Sequence, residues 1–169
     1  MANKGKYYES QFEKATIELL CEAHWQYAFG DDIHRKYTDP LIEEELRNFL
    51  TVQYKDKNLT TSEMDSIVAN LRNTGGQNDY YALRNAFLLY RDGYDFAYSD
   101  GRYNPFRLEY IDFEHPDHNV FRCVNQFVME QGRENRRPDI LLFINGIPVC
   151  IIELKNPTKQ NATIRDAHT

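Results

Sequence analysis

A chain of 169 residues, 41% hydrophobic and 14% aromatic, carries enough apolar material for about one buried core, which excludes wholesale disorder. Its net charge of −6 excludes a domain that grips duplex DNA by bulk positive charge, because nonspecific affinity comes from Lys and Arg neutralising phosphates. No apolar run is long enough to cross a bilayer and the opening MANKGKYYES lacks a secretory segment, so the expected setting is cytoplasmic, with no membrane partner. Cys21, Cys123 and Cys150 are an odd set without a C-x-x-C pair, each in apolar surroundings. They read as buried thiols, with no disulfide or structural zinc.

The first predicted element is a helix over Glu9–Ala23, with Phe12, Ala15, Ile17, Leu19 and Leu20 at amphipathic spacing. Glu9 and Glu13 lie one turn apart and align with Ile17 and Leu20, on the stripe that faces the core. They fit either a site at that face or ordinary acids favoured by the helix dipole. Asp39-Pro40 opens a second helix over Leu41–Leu50, with Glu43, Glu44 and Glu45 in its first turns. Thr60-x-x-Glu63 is a capping box ahead of a third, Met64–Leu71, which stops at Asn73-Thr74-Gly75-Gly76. Asn78 or Asp79 caps a fourth that runs to about Tyr90. Tyr80, Tyr81, Tyr90, Tyr94 and Tyr98 suit packing better than base stacking in this helical setting. There is no repeat and no G-x-x-x-x-G-K-[ST] phosphate loop, so these residues cannot bind ATP by that route.

From Phe106 the period becomes that of strands. Arg107–Phe113 alternates, Pro116–Asn119 reads as a turn, and Val120–Met129 as a further strand. His115 and His118 belong to the turn, since no cysteine or third ligand has zinc-site spacing. Arg133, Arg136 and Arg137 cluster before Asp139, and Lys155 and Lys159 follow the last strand. They suggest a basic rim, with a solvated loop as the plainer reading.

The most informative stretch is RPDILLFINGIPVCIIELK, ending at Lys155. Two apolar runs suited to strands buried on both faces flank Asn145-Gly146, the strongest short signal for a tight hairpin. Asp139 opens the first run, and Glu153 and Lys155 close the second, so the hairpin carries all three to one end. Ionised carboxylates in buried strands cost roughly several kcal/mol unless compensated, and a divalent metal would compensate. Parity sets a condition on this site. A plain two-residue turn pairs Asp139 with Ile152 and sends Glu153 to the opposite face. The site therefore requires a register shift between Ile144 and Val149, either a three-residue loop with Gly146 left-handed or a bulge near Pro148.

Pro138-Asp139, the spacer and Glu153-Leu154-Lys155 resemble the PD-(D/E)xK nuclease signature. Together with ESQFEKATIELL (Glu9–Leu20), DYYALRNAFLLYRDGY (Asp79–Tyr94) and ELKNPT (Glu153–Thr158), they make the chain similar to the N-terminal nuclease domain of the R subunit of type I restriction enzymes. The resemblance implies an α/β, restriction-endonuclease-like core, with a mixed or antiparallel central sheet flanked by helices and an N-terminal helical region. It implies one nuclease domain over residues 1–169, cut short before its last helices and the ATP-dependent motor, with Thr163–Thr169 beginning the next helix. A later helix bearing a glutamine and a tyrosine would lie beyond Thr169.

The implied activity is Mg²⁺-dependent cleavage of double-stranded DNA after ATP-driven translocation by the rest of the subunit, in complex with methyltransferase and specificity subunits. Asp139, Glu153 and Lys155 would be catalytic. Asp139, Glu153, the Leu154 carbonyl and one of Glu9 and Glu13 would hold Mg²⁺, and Arg136, Arg137 and Lys159 would touch DNA. A hard cation of this kind keeps several waters, so one or two carboxylates suffice. Two alternatives stand beside this reading: a free-standing repair or recombination nuclease of the same fold, and a catalytically dead module that only docks its partners.

Overall fold

A computed structural model of the chain describes residues 9–74, 78–131 and 134–155. In chain order the elements are α1 (Glu9–Glu22), β1 (Gln26–Phe29), α2 (Glu43–Gln53), α3 (Thr61–Arg72), α4 (Asp79–Asp92), β2 (Tyr94–Phe96), β3 (Phe106–Leu108), β4 (Phe121–Asn125), β5 (Met129–Gln131), β6 (Glu134–Arg136), β7 (Ile140–Ile144) and β8 (Ile147–Ile152). The fold is mixed α/β, as the sequence leads one to expect. No helix among the described residues is long and apolar enough to cross a membrane. The chain divides into two compact units, one drawn from Met1–Pro40 and Phe121–Thr169 and the other from Leu41–Val120.

The first unit holds a four-stranded sheet in the order β1-β4-β7-β8. β1 runs parallel to β4, and the β4–β7 and β7–β8 pairs are antiparallel. Parallel neighbours need a long crossover, and the whole segment 41–120 intervenes between β1 and β4. α1 ends with His24 left-handed at φ 67° and the Trp25 N–H donating back to the Leu20 carbonyl at 2.9 Å, a Schellman closure on a residue other than glycine. That closure turns Trp25 toward Phe121, ring centroids 5.3 Å apart. Ile17, Leu20 and Trp25 then pack with Ile152 and Leu154 against buried Cys123, Ile140 and Leu142. Ile17 and Leu20 of the predicted apolar stripe face the core as expected, whereas Ala15 and Leu19 are exposed. Burial pushes the Cys123 thiol up to about 11, an inert group, whereas Cys21 and Cys150 are exposed rather than buried as expected.

In the second unit the capping box forms as its spacing requires. Thr60 accepts from the Glu63 N–H while the Glu63 carboxylate accepts from the Thr60 N–H, so α3 begins at Thr61, three residues before Met64. α2 begins at Glu43 rather than Leu41, since Ile42, at φ −90° and ψ 79°, lies outside helical geometry, and Leu41 and Ile42 are buried ahead of the helix. Asn78 caps α4. Tyr98 is buried and Tyr90 and Tyr94 are half-buried, as packing demands, yet Tyr80 and Tyr81 are exposed on α4. The strand predicted over Arg107–Phe113 stops at Leu108, since Tyr110, Ile111 and Asp112 are buried in succession and no period-two face survives. β1, β2, β5 and β6, each of three or four residues, are too short for their alternation to be read.

Glu63 is buried and chelated by Arg102, whose guanidinium donates to both carboxylate oxygens at 2.5 and 2.8 Å. This pairing first, and the Thr60 N–H second, hold the Glu63 carboxyl down to about 2 from an ordinary 4.5. A depressed carboxylate stabilises the fold above its unfolded value, and that contribution is lost as pH falls through the folded one. Unfolding midpoints measured from pH 5 down to about pH 2 should therefore fall less steeply in Glu63→Gln than in the parent. Equal slopes would show that this ion pair contributes nothing to acid stability.

Candidate active site

Asn145 and Gly146 are both left-handed, at φ 52° and 76°, and make a two-residue hairpin turn with Asn145 fully buried. The register shift demanded by parity comes from the strand, not from a longer loop. Ile144 pairs with Ile147 and Phe143 with Pro148, but Leu142 pairs with Cys150, which leaves Val149 as an extra residue on β8. Pro148 brings no N–H to the ladder at that point, and β8 is the sheet's edge, where proline is tolerated. Beyond the bulge Ile140 faces Ile152. Continued by one residue, the ladder sets Asp139 across from Glu153, on one face.

The Asp139 side chain is half-buried, and its Oδ2 accepts from the Leu154 N–H at 2.6 Å. Leu154 packs into the core cluster while Glu153 and Lys155 on either side of it are exposed, so the acid and the lysine share the opposite side of the chain. Burial itself differs from expectation. β7, inside the sheet, is buried from Ile140 to Phe143; β8, at the edge, leaves Val149 40% and Ile151 55% exposed. Desolvation of Glu153 therefore does not by itself call for a cation, and the case for a site rests on register.

Phe29, Asn125, Ile140 and Ile152 lie in one row across the four strands. The next position along the strands holds Gly30, Gln126, Asp139 and Glu153. A Cβ at Gly30 would collide with the Gln126 carbonyl, so glycine is what allows β1 to end this close to β4. α1 reaches the same end: Glu13 Oε1 accepts from Asn125 Nδ2 at 2.8 Å and from Gln126 Nε2 at 3.4 Å. The Tyr27 hydroxyl donates to Asn125 Oδ1 at 3.0 Å, completing a Tyr27–Asn125–Glu13 chain. Burial, and then the charge on Glu13, raise the Tyr27 phenol and keep it a donor. Glu13 opens onto a pocket of about 350 Å³ lined also by Ser10, Lys14, Ile17, Glu18, Tyr27 and Asn125. The side chain of Glu9 lies outside the described residues.

Asp139 and Glu153, across from each other after the bulge, and Glu13, held by Asn125 from α1, stand at the same end of the sheet, and among the described residues they do not form a close three-ligand group. Their arrangement is open. It suits Mg²⁺, which keeps most of its waters, better than a cation enclosed by protein ligands. Of the predicted DNA contacts, Arg136 ends β6, exposed and 3.7 Å from the Glu134 carboxylate, and Arg137 is exposed beside Pro138. Arg133, Lys159 and the helix predicted from Thr163 lie outside the described residues. Tyr27, Asn125 and Gln126 were not legible as site residues. Only the tertiary pairing of β1 with β4 brings them to Glu13.

Sequence comparison finds relatives over nearly the whole chain. The chain is 28% identical over 169 residues to the "Type I restriction enzyme HindI endonuclease subunit" of Haemophilus influenzae, covering 94% of this chain and 16% of that protein. It is 29% identical over 163 residues to the "Putative type I restriction enzyme MjaIXP endonuclease subunit" of Methanocaldococcus jannaschii, covering 92% of this chain and 16% of the relative. The chain therefore spans about a sixth of the length of these relatives. The model of the family described as "Type I restriction enzyme R protein N terminus" matches residues 6–169, and with nearly its whole length inside that match the chain belongs to this family.

Proposed function

We propose that this chain is the Mg²⁺-dependent DNA-cutting part of a type I restriction enzyme, hydrolysing phosphodiester bonds of double-stranded DNA. On this reading an ATP-driven motor in the rest of the subunit moves the DNA, and methyltransferase and specificity subunits choose where the complex starts. The observation that carries the reading is the Val149 bulge, because the same residues paired regularly from this turn would put Asp139 and Glu153 on opposite faces.

Asp139, Glu153 and the Leu154 carbonyl would hold the cation, with Glu13 contributing from α1. Bound there, Mg²⁺ would activate a water and offset charge building on the scissile phosphate. The Leu154 N–H fixes the plane of the Asp139 carboxylate by occupying Oδ2. Asn125 and Gln126 hold the Glu13 carboxylate in place. Lys155, on the side of Glu153, orients the attacking water and draws negative charge from the phosphate. Arg136, Arg137 and Lys159 supply local phosphate contacts that a chain of net charge −6 cannot provide in bulk.

Metal binding tests this directly on the 169-residue chain. Mn²⁺, read by electron paramagnetic resonance and competed by Mg²⁺, should bind the parent and bind Asp139→Asn or Glu153→Gln at least about tenfold more weakly. Equal binding by parent and variants would remove the cation from this end of the sheet.

A further inference from the structure

A second cluster of ligand-type side chains lies in the Leu41–Val120 unit, where Asp112, His115 and His118 recur every third residue into the short 3₁₀ turn Pro116–His118. One ligand atom from each lies within 4.8 Å of the others. Asp112 is 4% exposed and held on every side. Its Oδ1 accepts from the N–H groups of Glu114 and His115 at 3.1 and 2.8 Å; its Oδ2 accepts from Gln53 Nε2 of α2 at 3.0 Å and lies 3.0 Å from His118 Nδ1. These bonds, the His115 N–H foremost, keep the carboxyl at about 2.

The turn does not need the imidazoles. Asn119 closes it by accepting from the Asp112 N–H at 2.9 Å and donating to the Asp112 and Pro116 carbonyls at 2.7 and 3.0 Å. Asp112 Oδ1 holds the backbone of residues 114 and 115. Yet the two rings stack, centroids 4.9 Å apart and planes 18° from parallel, with both Nδ1 atoms toward the one buried carboxylate, at 3.7 Å for His115 and 3.0 Å for His118. Two ligands each about 2.0–2.2 Å from a shared ion stand roughly 3.0–3.5 Å apart, and the two imidazole–carboxylate distances, 3.0 and 3.7 Å, are close to that spacing.

We propose that Asp112, His115 and His118 bind a divalent first-row transition ion of the zinc class, pinning the turn to α2 through Gln53. Two imidazoles and one carboxylate suit such an ion and not Mg²⁺, which prefers oxygen. The exposed rings leave its remaining positions to water. Gln53 takes the part of the outer partner that orients a ligating carboxylate. The site shares no residue with the hairpin carboxylates, so it stands or falls independently of the nuclease reading.

The test is a titration of the tag-free 169-residue chain with Co²⁺, a spectroscopic stand-in for Zn²⁺, followed by NMR of the imidazole protons of its five histidines. One equivalent should shift and broaden the His115 and His118 signals first, Zn²⁺ should reverse this, and excess Mg²⁺ should not. His115→Ala and His118→Ala should each weaken binding at least about tenfold, whereas Asp139→Asn should leave these shifts as they are. Unmoved His115 and His118 signals at saturating Co²⁺ would overturn the proposal on the parent protein alone. Undiminished binding in the double alanine variant, folded by circular dichroism, would overturn it as well.

Discussion

Asp139→Asn, introduced into a whole restriction complex built on this chain, is expected to reduce double-strand cleavage by at least about 10²–10³-fold while ATP-driven translocation continues. The substitution keeps the size of the side chain and an oxygen able to accept from the Leu154 N–H at the hairpin end. It removes only the charge. The cation would then lose a carboxylate ligand, and with it the activated water and the charge opposite the scissile phosphate, the two contributions a bound metal makes to hydrolysis. Translocation measured on the same preparation separates lost chemistry from lost assembly. Cleavage at parental rates would exclude Asp139 from catalysis and leave the chain a docking module.

Inserting one alanine between Ile152 and Glu153 is expected to abolish cleavage as completely, without touching a single candidate side chain. The Ile140–Ile152 ladder stays paired, and Ile152 stays against Cys123, Ile140 and Leu142. Past the insertion, however, every side chain changes face, because strand-like chain alternates with period two. Glu153 and Lys155 would turn away from Asp139, and Leu154 would turn out of the core. Deleting Val149 provides the contrast. Pairs from Leu142–Cys150 to Ile140–Ile152 survive that deletion, the strand becomes regular, and Asp139 remains across from Glu153. Cleavage should then stay within about tenfold of the parent, since only local twist is altered. Should the insertion cut well and the deletion fail, facing would not be what the bulge secures.

Much of this was legible because it rests on local physics. The Thr60–Glu63 capping box, the Asn145-Gly146 reversal, the helix stripe through Ile17 and Leu20, and the need for a register shift before Val149 each follow from residues within a few positions of one another. Local hydrogen bonding, left-handed dihedrals and side-chain period act before any tertiary contact exists. Sequence alone therefore specified the hairpin, the charged residues at its end, and the need for a register shift to turn them the same way, while leaving a longer loop or a bulge as its form.

Tertiary structure decided the rest, for reasons no short window contains. Whether an apolar strand is buried on both faces depends on its neighbours: β7 lies between β4 and β8, while β8 is an edge that leaves Cys150 and Ile151 exposed. The four-residue β1 carries too little pattern to be seen, and its pairing with β4 spans some hundred positions of chain. That pairing is what places Tyr27 against Asn125 and, through Asn125, ties Glu13 to the sheet end. Asp112 reads as one acid among many until its burial against Gln53 sets it before two histidines. Contacts of this kind are set by which surfaces the chain buries together, a property of the folded whole and not of any segment.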